Sequence, residues 1–84
     1  MLGVVRVLPK DGYAVSIEFN DGQKGTVNLK TELEKDRRAI IRELLNPDMF
    51  ATVKIKFDTL CWDNGVDFAP EYLYEQMIMQ RKAA

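Results

Sequence analysis

Asp63, Asn64, Asp67 and Glu71 bring four oxygen-bearing side chains into one short stretch of the chain. Carboxylate and amide oxygens are the ligands that calcium and magnesium prefer, so a hard cation is the one chemistry this stretch suggests. The spacing departs from the calcium-loop pattern, in which ligands alternate and a glycine holds a fixed place. The same residues read more fully as structure. Asn64 is expected in a left-handed turn position, Asp67 as an acceptor for backbone amides ahead of a helix, and Glu71 as the acid that favours the positive helix end. No metal or cofactor is therefore expected.

Other chemistries lack their residues. The chain of 84 residues has no histidine, which removes the usual acid or base near neutrality and the imidazole metal ligand. Its one cysteine, Cys61, cannot build a thiolate zinc cage, and no basic partner is identifiable to activate it. No glycine-rich phosphate loop and no Ser/His or Cys/His constellation can be written down. Trp62 and the tyrosines could stack on a base or ligand, but in so short a chain aromatic rings are expected in the core. The chain is not expected to be an enzyme.

Lysine and arginine number 12 and the acids 13, a formal net charge of -1, and the pI is near 5.3. That balance lacks the single-signed field that attracts phosphate backbones, so direct nucleic-acid binding is not expected. Lys35, Arg37, Arg38 and Arg42 cluster, and read as the solvated face of a helix. No N-terminal signal and no apolar run of about 18 residues stands out, which points to a cytoplasmic protein and no membrane span. The length fits one domain over residues 1–84.

The polar stretch belongs to a longer one, Leu60 to Tyr74, which its neighbours must position. Val4, Val5, Val7 and Leu8 suggest a first strand, and Pro9-Lys10-Asp11-Gly12 a turn. Tyr13, Val15, Ile17 and Phe19 alternate with Ala14, Ser16 and Glu18 as a half-buried strand does. Asn20-Asp21-Gly22 turns the chain back into Gln23 to Leu29. Apolar spacing predicts a helix between Thr31 and Leu45, clearest from Asp36, with Glu34 paired to Arg38 and a stop at Asn46-Pro47. Phe50 caps that end of the core. Val53, Ile55 and Phe57 share one strand face, and Leu60 to Trp62 pairs back as a hairpin. Asn64-Gly65 reverses the chain, and Pro70 launches a last helix to about Lys82, with Phe68 and Leu73 as a hydrophobic staple.

The architecture predicted is α+β: an antiparallel three-stranded meander, a helix, a β-hairpin and a C-terminal helix. At about 100° per residue, Leu73, Tyr74, Met77 and Ile78 form one stripe of the last helix, with Tyr72 and Met79 almost opposite. Tyr72 and Met79 are thus the residues expected to touch a partner protein or a second copy, with packing inside one chain as the other reading.

The stretch from Trp62 through Asn64, Gly65, Asp67 and Pro70 to Leu73 and Tyr74 resembles the hallmark of the bacterial domain of unknown function 2442. The resemblance extends to Pro9-Lys10-Asp11-Gly12-Tyr13, to Phe19-Asn20-Asp21-Gly22 and to Leu45-Asn46-Pro47-Asp48-Met49-Phe50. It implies a small α+β domain with no established activity. Members occur alone, joined to helix-turn-helix domains, or encoded beside another small domain in arrangements that look like toxin-antitoxin pairs. With so little sequence after the hallmark helix, direct operator binding is not expected. Asn28 stands where many members of the family it resembles have Asp, and no role is carried onto it.

The expected function is a non-catalytic protein-binding module, in the form of a regulatory or antitoxin-like subunit. The other classes weighed are an accessory nucleic-acid-associated regulator, which needs the arginines on one exposed surface, and a small carboxylate-dependent cation-binding protein or enzyme. The cation reading has a direct check. The melting temperature is expected to stay within about 1 °C in excess calcium, excess magnesium or chelator, whereas a rise of several degrees with either cation would place a metal at the joint.

Overall fold

Val15, Ile17 and Phe19 alternate with more exposed neighbours, and that period of two makes their strand the centre of the first sheet. In the structure, a computed structural model that describes residues 1–83, β1 (Val4–Lys10), β2 (Ala14–Phe19) and β3 (Lys24–Asn28) form an antiparallel meander. A bulge between Val4 and Arg6 shifts the register of β1 on β2. It accounts for the crowded apolar run: Val4 is buried and Val7 half-buried, while Val5 and Leu8 face solvent. The first turn falls later than the sequence suggests. Pro9 and Lys10 still pair in the ladder, where an edge strand tolerates proline, and Gly12 and Tyr13 take the left-handed positions at φ 77° and 65°.

The single helix predicted between Thr31 and Leu45 is broken in the structure. α1 (Lys30–Lys35) ends at Asp36, where ψ is 133°, and α2 (Ala39–Arg42) runs into a 3₁₀ turn (Glu43–Leu45). Asp36 supplies the cause. Its carboxylate accepts the Arg38 amide at 2.9 Å and the Arg38 guanidinium at 3.1 and 2.8 Å. A short acidic side chain bonded to the backbone two residues ahead competes with helix continuation. The same bonds, the guanidinium first, hold the Asp36 carboxyl down to about 2, and they take Arg38 away from Glu34. Arg42 Nη1 instead donates to the Glu34 carbonyl at 2.8 Å and closes the end of α1. Asn46 stops the 3₁₀ turn and starts α3 (Pro47–Phe50), its side chain accepting the Asp48 amide at 2.9 Å.

β4 (Lys54–Lys56), β5 (Thr59–Cys61) and β6 (Asp67–Phe68) form a second antiparallel sheet, in that order. The predicted hairpin is present, and β6 adds a strand too short to show alternation. Phe57 does not join Val53 and Ile55 on the inner face. Phe57 and Asp58 form the two-residue reversal itself, both left-handed at φ 53° and 63°, which turns Phe57 out to 89 % exposure. The Asp58 carbonyl accepts the Val4 amide at 2.9 Å and stitches the hairpin tip to the first sheet.

α4 (Pro70–Ala83) lies along β3. Leu73 and Met77 enter the core with Leu29, Leu33, Leu44, Leu60 and Trp62. The edge of β3 is covered by side chains from α4. The Gln80 amide pairs both ways with the Asn28 backbone, at 2.7 and 3.0 Å, and Arg81 donates to the Lys24 carbonyl at 2.9 Å. Edge groups so occupied are withdrawn from pairing with another strand. The close approach of the helix depends on Gly25, where an added Cβ would lie 3.0 Å from Met77 Cγ and Sδ. Gly25→Val is therefore expected to lower stability by about 1–3 kcal/mol in urea unfolding, because branching there pushes α4 off the sheet. A loss below about 0.5 kcal/mol would mean that α4 is not seated on β3 in this way.

Candidate functional site

Trp62 follows β5 with its ring buried and its indole N–H donating to the Phe50 carbonyl at 3.0 Å. The chain then reverses: the Trp62 amide donates to the Val66 carbonyl at 2.9 Å and the Gly65 amide to the Trp62 carbonyl at 3.0 Å. Gly65, at φ 93°, takes the left-handed position. Asn64 does not, because the glycine beside it already supplies the reversal. Its side chain works across the fold instead. Asn64 Oδ1 accepts the Val66 amide at 3.2 Å, and Nδ2 donates to the Ile40 carbonyl at 3.0 Å and to Glu43 Oε1 at 2.9 Å. One amide thus ties the joint to α2 and the 3₁₀ turn.

Asp67 of β6 pairs with Cys61 of β5, and its side chain is exposed. The hydrogen bonds expected from it to amides ahead of the helix do not form among the described residues. Ala69 stands at the start of α4, accepting the Leu73 amide at 3.2 Å, with Pro70 buried in the first turn and Glu71 exposed beside it. Asp63 pairs with Lys54 at 2.7 Å. The four oxygen-bearing residues therefore diverge, and among the described residues no three Asp, Glu, His or Cys side chains converge on a point that could hold a metal ion.

A line of aromatic contacts crosses the joint. Tyr13 meets Phe50 edge-on at 5.5 Å, Phe50 lies 5.9 Å from Trp62, Trp62 meets Phe68 edge-on at 5.5 Å, and Phe68 stacks on Tyr72 at 5.6 Å. The ring stacked on Phe68 is thus Tyr72. This moves Tyr72 away from the outer surface on which the sequence placed it with Met79. Half-buried against Phe68, its phenol is held above the ordinary value by burial first and then by the Glu32 carboxylate. Helical angle fixes where a side chain leaves the backbone, and χ1 decides where the ring ends.

Met79 is exposed and keeps different company. With Leu2, Tyr74 and Ile78 it lines a shallow open groove of about 380 Å³, bordered by Glu71 and Glu75. Tyr74 anchors one wall. Its ring meets Phe19 edge-on at 4.9 Å and its hydroxyl donates to Asp21 at 2.8 Å. That bond raises the Tyr74 phenol, and Asp21 is lowered by the Gln23 amide and then by Tyr74. Leu2 was invisible to periodicity. Asn20 brings it there by holding the N-terminal segment, its backbone amide donating to the Gly3 carbonyl at 2.9 Å and its side-chain Nδ2 to the Met1 carbonyl at 2.8 Å.

Three members of the basic cluster bond within their own loop, while Arg37 is exposed. Arg38 binds Asp36, Arg42 binds the Glu34 carbonyl, and Lys35 pairs with Glu32 at 3.0 Å. No helix among the described residues is long and apolar enough to cross a membrane.

A family described as Protein of unknown function (DUF2442) matches residues 4–78 of the 84. The chain belongs to this family. The DUF2442 match takes in both sheets, the joint and most of α4, while Leu2 and Met79 lie just outside it. No curated protein and no solved structure gives a significant match. Within this DUF2442 chain, Asn28 also serves the fold. Its Oδ1 accepts the Lys30 amide at 2.9 Å and opens α1, a bond that an Asp oxygen would make equally well.

The joint gives a contrast between two residues of one stretch. Asn64→Ala removes three hydrogen bonds and is expected to cost about 1–3 kcal/mol in chemical unfolding. Asp67→Ala is expected to stay within about 0.5 kcal/mol. Equal losses would contradict this division of labour between the two side chains.

Proposed function

We propose that the protein is a non-catalytic protein-binding module and that the outer face of α4 is its docking surface. The supporting observation is the groove along Leu2, Tyr74, Ile78 and Met79. The inner face of α4 already meets the core through Leu73 and Met77, and its flank closes the β3 edge. Met79, 55 % exposed, adds nothing to that packing. Apolar surface of this kind gains roughly 25 cal/mol per Å² when a partner removes it from water. Methionine adapts to the shape it meets, and tyrosine offers an apolar ring with a polar tip.

Glu71 and Glu75 beside the groove disfavour a phosphate backbone there. A regulatory or antitoxin-like subunit of a small protein pair is the form we favour, in line with the gene arrangements that the family resemblance implies. Isolated under native conditions, the protein is expected to self-associate or to retain a companion protein. Met79→Asp should abolish that association while shifting the melting temperature by less than about 2 °C. Association that survives Met79→Asp, or a parent protein that binds neither itself nor a companion, would rule the reading out.

A further inference from the structure

We infer that the occupant of the groove is a second copy of this chain, with the two α4 helices antiparallel across a two-fold axis near Ile78 and Met79. This rests on the reading of α4 as a docking face and names its partner. Charge order carries the assignment. Glu71, Glu75, Ile78, Met79 and Lys82 lie within roughly a third of the helix circumference, and all but the half-buried Ile78 are exposed. Along the axis the stripe runs acidic, apolar, basic.

Such a stripe complements its own reverse. Turned antiparallel, Ile78 and Met79 of one copy pack on Met79 and Ile78 of the other, and Glu75 of each copy faces Lys82 of the other, giving two ion pairs related by the axis. A parallel copy would set Glu75 beside Glu75. Antiparallel helices also bring opposite dipole ends together. Neither Glu75 nor Lys82 has an ion-pair partner within its own chain among the described residues. Lys82 does answer the negative end of its own helix, but that role requires no particular side, whereas the line shared with Glu75 and Ile78 does. Gln80 and Arg81, which bind β3, leave the helix outside this arc, so docking disturbs neither.

The stripe is short, smaller than the roughly 800 Å² per partner of a standard interface, so a micromolar or weaker dimer is expected. Sedimentation equilibrium from roughly 10 µM to 1 mM tests this on the full chain. The parent should dimerise. Glu75→Lys and Lys82→Glu should each weaken the dimer about tenfold, and the two together should restore it to within about threefold of the parent. Circular dichroism and melting of each variant control for folding, which these exposed positions leave intact. A parent that is monomeric throughout, or a double variant no tighter than the singles, overturns the second-copy assignment. Should a monomeric parent still lose a different companion on Met79→Asp, docking on α4 stands and only the identity of the occupant falls. Loss of both removes both readings.

Discussion

The indole N–H of Trp62 has one partner, the Phe50 carbonyl, and much of the molecule is arranged so that this bond can be made out of water. A buried donor without a partner is costly, so Phe50 must sit where α3 presents its carbonyl to β5. That demand fixes α3 against the second sheet. The rings then spread the constraint. Tyr13 at the first turn, Phe50 on α3, Trp62 after β5, Phe68 on β6 and Tyr72 on α4 touch in succession, linking the first turn to α3 and to the second sheet and last helix. The joint after β5 is thus a place where the two sheets and the last helix are held together.

α4 inherits its two characters from this arrangement. Anchored by Tyr72 on one flank and by the Tyr74–Asp21 bond on the other, it has little freedom to roll on the sheet. Leu73 and Met77 point inward, Gln80 and Arg81 close the edge of β3, and the remaining arc carries acid, apolar and basic residues in order. A helix held this firmly presents its outer side chains in a defined register. Binding through such a face has little ordering entropy to overcome beyond the side chains themselves.

Much of the architecture was legible in the sequence because it rests on local rules. The alternation at Val15, Ile17 and Phe19, the turn at Asn20-Asp21-Gly22, the stop at Asn46-Pro47 and the launch of a helix at Pro70 each follow from a few neighbouring residues. The misplacements have specific causes. No Gly or Pro marks the break after Lys35, because a carboxylate at Asp36 made it. Phe57 fitted the strand pattern but became the hairpin reversal, and β6 was too short to announce itself. Of the candidate surface, Met79 was legible from helical angle. Tyr72 was misplaced because its ring turns back onto Phe68, and Leu2 arrives from the far end of the chain.

By itself, then, the amino-acid order determined the α+β class, the principal strands, the terminal helix and the absence of histidine chemistry, since composition and short-range periodicity suffice for each. Tertiary structure alone decided that Asn64 bonds across to α2, that Asp63 turns to Lys54 while Asp67 faces solvent, and that a groove opens between Leu2 and Met79. Those outcomes depend on which distant groups compete for the same hydrogen bond or the same contact. That competition is resolved only when the chain is folded, and no local pattern encodes it.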